Sequence, residues 1–298
     1  MKTPSQLQSR DMVDPRAPIP ELKRRGNVAR FLSSWSAGIG AAIVIALVLV
    51  AIFAPLLAPH NPYEADALTD AFRAPGGSFP LGTDVLGRCI LSRIIYGTRI
   101  SLTVGLVVQG ISVLLGVTLG VVAGYWEGFV DDVVSNLTNI MFGFPHLLFA
   151  LAVVTVLGPG LYNIFIALGL AGWPMIARLV RGQTLSVKRK EYVEAARAAG
   201  CTDFFVIVRH ILPQCLSPVL VMATMGMAAA ILAEAGLSFL GLGAQPPAPS
   251  WGSMIARGRD YIWDSPWMTT FPGVAIFVTV LGFNLLGDGL RDFLDPRL

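Results

Sequence analysis

Uncharged apolar runs recur along this chain at lengths that few soluble folds could bury. The first begins at Ala37 and reads AGIGAAIVIALVLVAIFAPLL, without one ionisable residue. About 20 apolar residues are what a helix needs to cross a ~30 Å hydrocarbon layer. Six spanning segments are predicted, near 36–57, 99–124, 131–157, 161–181, 216–240 and 269–290, which makes the fold all-α and integral to a membrane. Pro145 and His146 fall in the third segment and Pro174 in the fourth, positions that neighbouring helices tolerate when the freed backbone groups find partners. Composition agrees: 54% of residues are hydrophobic, 14% are charged and the mean hydropathy is +0.65.

Charge then orients the chain. With the amino terminus inside, seven Lys/Arg fall in the polar stretch 1–34, seven around 178–209 and two at the end, against six outside. That asymmetry satisfies the positive-inside rule and places both termini in the cytoplasm. Residues 1–34 are too long and polar for the first region of a cleaved signal peptide, so they read as a cytoplasmic tail before a retained helix at 35–57. Residues 58–98 form an extracytoplasmic segment that turns amphipathic from Asp84, predicting a short helix at the outer interface. A core of five spans, 99–298, follows, with a cytoplasmic loop at 184–214 and an outer loop at 243–267. Trp251, Tyr261, Trp263 and Trp267 in that outer loop suit a membrane interface. Gly116, Gly120 and Gly124 form a small-xxx-small ladder that admits another helix at close range, either within this chain or from another subunit.

Several chemistries are disfavoured. A net charge of +3 argues for no nucleic-acid partner, and Cys89, Cys201 and Cys215 show neither CxxC spacing nor a Cys/His cluster for a metal. No G-x-x-x-x-G-K-[ST] loop occurs, so any nucleotide energy comes from another subunit. Neither a Ser/His/Asp set nor paired carboxylates suggest an enzyme.

The stretch EAARAAGCTDFFVIVRHILP, 194–213, is unlike its apolar surroundings. Residues 190–199 are good helix formers, Gly200 supplies a helix-ending conformation, and Thr202 or Asp203 caps a second helix from Phe204 that Pro213 ends or bends. Two short helices joined by a tight turn are expected. A DNA reader needs polar and basic residues on its second helix, whereas DFFVIVRH suits a groove on a protein.

Glu194-Ala195-Ala196, three residues, Gly200, then Leu212-Pro213 resembles the EAA loop of bacterial ABC importer permeases, departing at His210, where the general pattern usually has Ile. LGTDVLGRCILSRIIYGTRISL (81–102), SFLGLGAQPPAPSWGSMI (238–255) and FNLLGDGLRDFLDP (283–296) are similar to signatures of the C-type subunit of the peptide/nickel permease family, with Cys89 where relatives typically have Asp. The resemblance covers roughly 36–298 and implies a type I ABC importer permease fold with cytoplasmic coupling helices, in a bacterial inner membrane. It implies a homologous second permease, two ABC ATPase subunits carrying ATP and Mg, and an extracytoplasmic solute-binding protein, with this chain itself holding no cofactor and no catalytic residue. Docking to the ATPase then falls to Glu194, Ala195, Ala196, Gly200, Leu212 and Pro213. Gly200 permits the turn, Glu194 makes a charged contact and the alanines allow close approach. The implied cargo is a di- or oligopeptide, with nickel chelates, glutathione and opine-like solutes as alternatives.

Polar residues inside the predicted spans are few. Glu234, Asn284 and Gln109 are candidates for lining a path; for Glu234 a structural partner within the protein is the other reading, because a carboxylate in a span needs pairing or water. His146 after Pro145 is placed to bond a freed carbonyl. Gln245, Pro246, Pro247 and Trp251 are candidate contacts for a binding protein. The rival reading is an ion-coupled transporter, which would need coordinating groups at midplane and often repeated halves; this chain offers one candidate carboxylate and no convincing repeat.

Overall fold

The computed structural model describes residues 35–294. The stretch read as a cytoplasmic tail, 1–34, and the last residues, 295–298, lie outside the described residues. In chain order the helices are α1 (Trp35–Ile52), α2 (Ala54–Leu57), α3 (Ile90–Tyr125), α4 (Phe129–Phe142), α5 (His146–Leu157) and α6 (Leu161–Lys188). Then come α7 (Glu191–Ala198), α8 (Asp203–Val206), a π-turn (Ile207–Ile211), α9 (Leu212–Phe239), α10 (Trp251–Gly258), a 3₁₀ turn (Arg259–Tyr261) and α11 (Trp267–Leu294). Two isolated β-bridges, Gly76 with Phe79 and Thr83 with Cys89, pin the segment between α2 and α3.

Five helical runs are long and apolar enough to cross a membrane: α1, α3, α6, the continuous run Asp203–Phe239 and α11. The sixth predicted span, 131–157, is not one rod: α4 and α5 meet at 90°. Pro145 bars Phe144 from the helical region and cannot donate a backbone hydrogen bond, while Gly143 closes α4 by donating to Asn139 and Ile140 carbonyls at 3.2 and 3.0 Å. The expected separate interfacial helix after Asp84 is likewise absent as such. Its residues form the opening turns of α3, whose 36 residues extend about 54 Å, well beyond a hydrocarbon layer.

Glycine sets the closest helix contacts. A Cβ on Gly116 would stand 2.6 Å from Ile176 Cβ, one on Gly120 2.6 Å from the Ala177 carbonyl and one on Gly124 2.7 Å from Thr184 Cβ. The small-residue ladder therefore serves this chain's own α3–α6 pair, the intrachain option of the two. On the opposite flank α1 packs on α11, with Gly40 against the backbone of Leu285 and Leu286. Arg99 then donates to the carbonyls of Ala51 and Ile52, at 2.5 and 3.1 Å, satisfying acceptors that a helix end leaves without partners. Ile45, Val48, Leu49 and Ile52 remain exposed along α1, as a lipid-facing helix requires.

Candidate functional site

At one end of the bundle the loop between α6 and α9 projects outward. Glu191 and Glu194 occupy the first turn of α7, where negative charge complements the helix dipole. The helix closes with paired hydrogen bonds, Cys201 N–H to Ala196 O at 3.1 Å and Gly200 N–H to Arg197 O at 2.9 Å, around Gly200 at φ +83°. This is a Schellman ending, and a β-branched residue at 200 would be strained in it. Thr202 caps α8, its hydroxyl accepting from Phe205 N–H at 3.4 Å.

The second helix is not short. Beyond Val206 a π-turn leads directly into α9, so Pro213 neither ends the run nor separates it from the membrane span. Proline lacks the N–H that would bond the Arg209 carbonyl and its ring crowds that oxygen; the widened turn at 207–211 absorbs both effects. One short helix, α7, is thus carried on the foot of a long one.

Val193, fully buried, anchors α7 in an apolar cluster with Val121, Val180, Val206, Ile207 and Ile211. Ala196 and Leu212 pack against the same cluster, which turns two of the sequence-derived docking residues toward their own chain. Glu194, Ala195, Gly200 and Pro213 face outward. Phe204 and Phe205 of the apolar stretch read as suited to a protein groove are exposed there; sequence reasoning missed Tyr192, which is exposed beside them, and His210 lies between the Tyr192 and Phe205 rings at 5.8 and 5.9 Å.

Tyr125, the last residue of α3, ties this loop to the bundle. Its hydroxyl bonds Asp203 Oδ1 at 2.5 Å, the Arg197 guanidinium lies 4.8 Å over its ring, and Lys188 Nζ donates to its carbonyl at 2.6 Å. Lys188 also reaches Glu127 at 2.9 Å, and that hydrogen bond holds the exposed Glu127 carboxyl below the usual glutamate range. Asp131 grips Arg181 through both carboxylate oxygens, at 2.5 and 2.6 Å, joining α4 to α6 nearby. No isolated sequence motif announces Tyr125, because its partners lie 63 to 78 residues away.

Sixteen residues up α3 from Tyr125, roughly 24 Å along its axis, Gln109 borders a cavity of about 520 Å³ walled by α3, the α4–α5 break, α6 and α9. Phe142, Phe144, Met222 and Met225 line it together with Gln109, Ser112 and His146, and no Asp, Glu, Lys or Arg does. Ser112 is committed to the Gly169 carbonyl at 3.0 Å. The Gln109 side-chain amide makes no hydrogen bond among the described residues, and it lies so close to Gly226 that a Cβ there would collide with it.

Two other path candidates lie elsewhere. Asn284 sits half-buried on α11, which contributes no wall to the cavity. Glu234, 1% exposed, accepts hydrogen bonds from the Ser238 and Ser250 hydroxyls at 2.5 and 2.9 Å. It clasps the loop 240–250 to α9, the structural one of its two readings. Trp251, also 1% exposed, donates to the Ile94 carbonyl at 3.1 Å and fills the space beside Gly97. It is therefore core, not a contact surface. Trp267 bonds the Thr83 carbonyl at 3.2 Å, which leaves Tyr261 and Trp263 as the outward aromatics of the four. Gln245 ties its own turn through Gly241 and Gly243, beside the exposed Pro246 and Pro247.

The model of the family described as "binding-protein-dependent transport system inner membrane component" matches residues 116–298. The chain belongs to that family. A second model, the N-terminal TM domain of oligopeptide transport permease C, matches residues 26–75. Among similar proteins, the dipeptide transport system permease protein DppC of Alkalihalophilus pseudofirmus is 43% identical, covering 87% of this chain and 85% of its own length. The glutathione transport system permease protein GsiD of Pectobacterium atrosepticum is also 43% identical, at 90% and 89% coverage. A putative peptide transport system permease of Brucella suis is 44% identical, covering 90% of each chain. The inward-facing MetNI methionine ABC transporter superposes with TM-score 0.56 at 20% identity, covering 68% of this chain and 97% of that one. The fold is that of the type I ABC importer permeases, and family membership sets aside the ion-coupled reading.

Proposed function

We propose that this chain is one of two permease subunits of an ATP-driven importer of di- and oligopeptides. The observation that carries this reading is the mechanical line from an outward-facing helix pair, through Tyr125, up α3 to a solute-sized uncharged cavity. In this reading residues 190–213 dock in a groove on one of two ATPase subunits, which hold ATP and Mg; this chain hydrolyses nothing. Closure of the ATPases moves α7, and the Tyr125–Asp203 bond passes the displacement to α3 and the cavity wall. An extracytoplasmic binding protein delivers cargo to the opposite end, both termini are cytoplasmic, and the chain sits in a bacterial inner membrane among lipid.

The cavity supports a peptide cargo on chemical grounds. An uncharged wall makes no demand on the sign of a side chain, methionines adapt to varied shapes, and the free Gln109 amide matches the donors and acceptors of a peptide bond. Glutathione, itself a small peptide, is a second reading, favoured by the equal similarity to the glutathione permease.

Native mass spectrometry of the chain purified from its own membranes tests the assembly. Two different permeases with two ATPase chains is the expected composition, and a homo-oligomer without ATPase in mild detergents would overturn it. Uptake by the reconstituted complex, with labelled dipeptide competed by glutathione, then separates the cargo readings: displacement at low concentration selects glutathione.

A further inference from the structure

A second cavity, of about 350 Å³, lies between α4 and α6, nearer the docking loop than the first. Along α6, Leu168, Gly172 and Met175 belong to the large uncharged cavity and Arg178 and Arg181 to this one, before Lys188 at the docking end. Along α4 the division is the same: Met141 and Phe142 border the first cavity, Ser135, Thr138 and Asn139 the second. The two are thus stacked along one helix pair. At their border stands the Phe142 ring, with the Arg178 guanidinium 4.0 Å over it.

The charges of the second cavity are unequal. Asp131 holds Arg181 at 2.5 and 2.6 Å and takes the Ser135 hydroxyl at 3.1 Å, so that pair is closed. Thr138 spends its hydroxyl on the Val134 carbonyl at 2.7 Å. Arg178 has no acidic partner among the described residues: Nη2 donates to Asn139 Oδ1 at 3.0 Å, while Nε, Nη1 and the Asn139 amide nitrogen donate to nothing there. No Asp or Glu among the described residues lines the cavity, and Asp132, the other acid of α4, is exposed and outside its walls. Open donors on a fixed positive charge suit a carboxylate.

We propose that this cavity receives the carboxylate terminus of the peptide as it leaves the large cavity, with Arg178 as the residue that meets it; the inference rests on the peptide reading above. A peptide carries that carboxylate whatever its side chains, and the wall of the large cavity offers it no counterion. An unpaired carboxylate away from water is costly, so the next station along the path favours it by holding a cation. Phe142 lies between Arg178 and the first cavity, which leaves loading indifferent to charge and sets the attraction one step nearer the docking end. Arg178 therefore acts on the rate of passage, not on delivery.

The test is uptake by the reconstituted complex of a dipeptide and of the same dipeptide with an amidated C-terminus, in wild type, Arg178→Gln and Arg178→Lys. One binding protein serves every complex, so its own preference cancels when each cargo is compared across them. Arg178→Gln is expected to lower the maximal rate for the free acid about five- to ten-fold and to leave that for the amide unchanged. Arg178→Lys, which keeps the charge, should restore most of the loss. Lost packing on Phe142, or a lost lipid headgroup, would slow both cargoes alike, so equal slowing of the two, or no slowing of either, overturns the inference and leaves the peptide reading standing. If the binding protein refuses the amide, the free acid decides alone: Gln keeps a planar group over Phe142 and Lys keeps only the charge, so a Gln complex faster than the Lys complex overturns the inference. A wild-type complex that carries neither cargo overturns the peptide reading, and this inference with it.

Discussion

The two ends of the bundle are built on opposite principles. At the docking end, α7 is held by one fully buried side chain, Val193, and by polar ties that converge on Tyr125, while Tyr192, Phe204 and Phe205 stay outside. At the far end a long segment and a loop are sewn down by buried polar groups: Glu234 with two serines, Trp251 on the Ile94 carbonyl, and Arg93 on the Pro62 carbonyl. Local opening is cheap where few apolar contacts hold an element and expensive where many buried groups must lose partners together. The contrast separates a part that moves against a partner from a part that keeps its shape.

The largest expected effect breaks the rigid end. Trp251→Ala removes a fully buried ring and its hydrogen bond and should destabilise by about 3–5 kcal/mol, visible as a lowered melting midpoint and poor recovery from membranes. Glu234→Leu, which leaves the Ser238 and Ser250 hydroxyls without their acceptor, should cost roughly 2–3 kcal/mol. Glu234→Gln keeps an acceptor oxygen and should retain uptake; a complete loss of uptake at normal abundance would assign Glu234 to the path.

At the docking end the effects should appear in coupling more than in stability. Gly200→Val forces a β-branched residue into the left-handed region at a cost of about 1–3 kcal/mol, with the chain still in the membrane but uptake strongly reduced; wild-type uptake would separate the turn from transport. Tyr125→Phe deletes the hydroxyl that bonds Asp203 and approaches Arg197, worth about 1–2 kcal/mol, and should raise ATP hydrolysed per solute carried. Glu127→Gln should have a small effect, present at neutral pH and vanishing in acid, read from melting midpoints across pH. Because the Glu127 carboxyl is held low by Lys188, its contribution is complete above the ordinary glutamate range and is lost only as pH falls below it. Cys89→Asp is the one change expected to stabilise, by roughly 1 kcal/mol, since position 89 is a helix N-cap with no side-chain bond.

What was legible in the sequence follows from how local its cause is. Five spans were readable because an uncharged run of bilayer length has few other uses, and the Gly200 turn was readable because its cap chemistry lies within a dozen residues. The break in 131–157 was written in Gly143 and Pro145, but apolar residues on both sides gave the same hydropathy to a bent pair as to a straight rod. Asp84 onward read as a separate helix because amphipathicity reports the environment of a helix, not its length. Glu234 read as a candidate for the path because charge in a span is costly; Ser238, one turn on, was the local sign of its partner. Trp251 and Tyr125 depend on contacts 157 and 78 residues away, which no local pattern encodes.

The glycine ladder of α3 limits how this molecule can open. With Gly116, Gly120 and Gly124 seated against Ile176, Ala177 and Thr184 at van der Waals limits, α3 and α6 have no room to slide or rotate past each other and behave as one plank. Of the four walls of the large cavity, two therefore share a single degree of freedom. Widening it falls to the hinge at 143–145 and to α9, so a crosslink from α4 to α6 should arrest the cycle, while one from α3 to α6 should pass unnoticed.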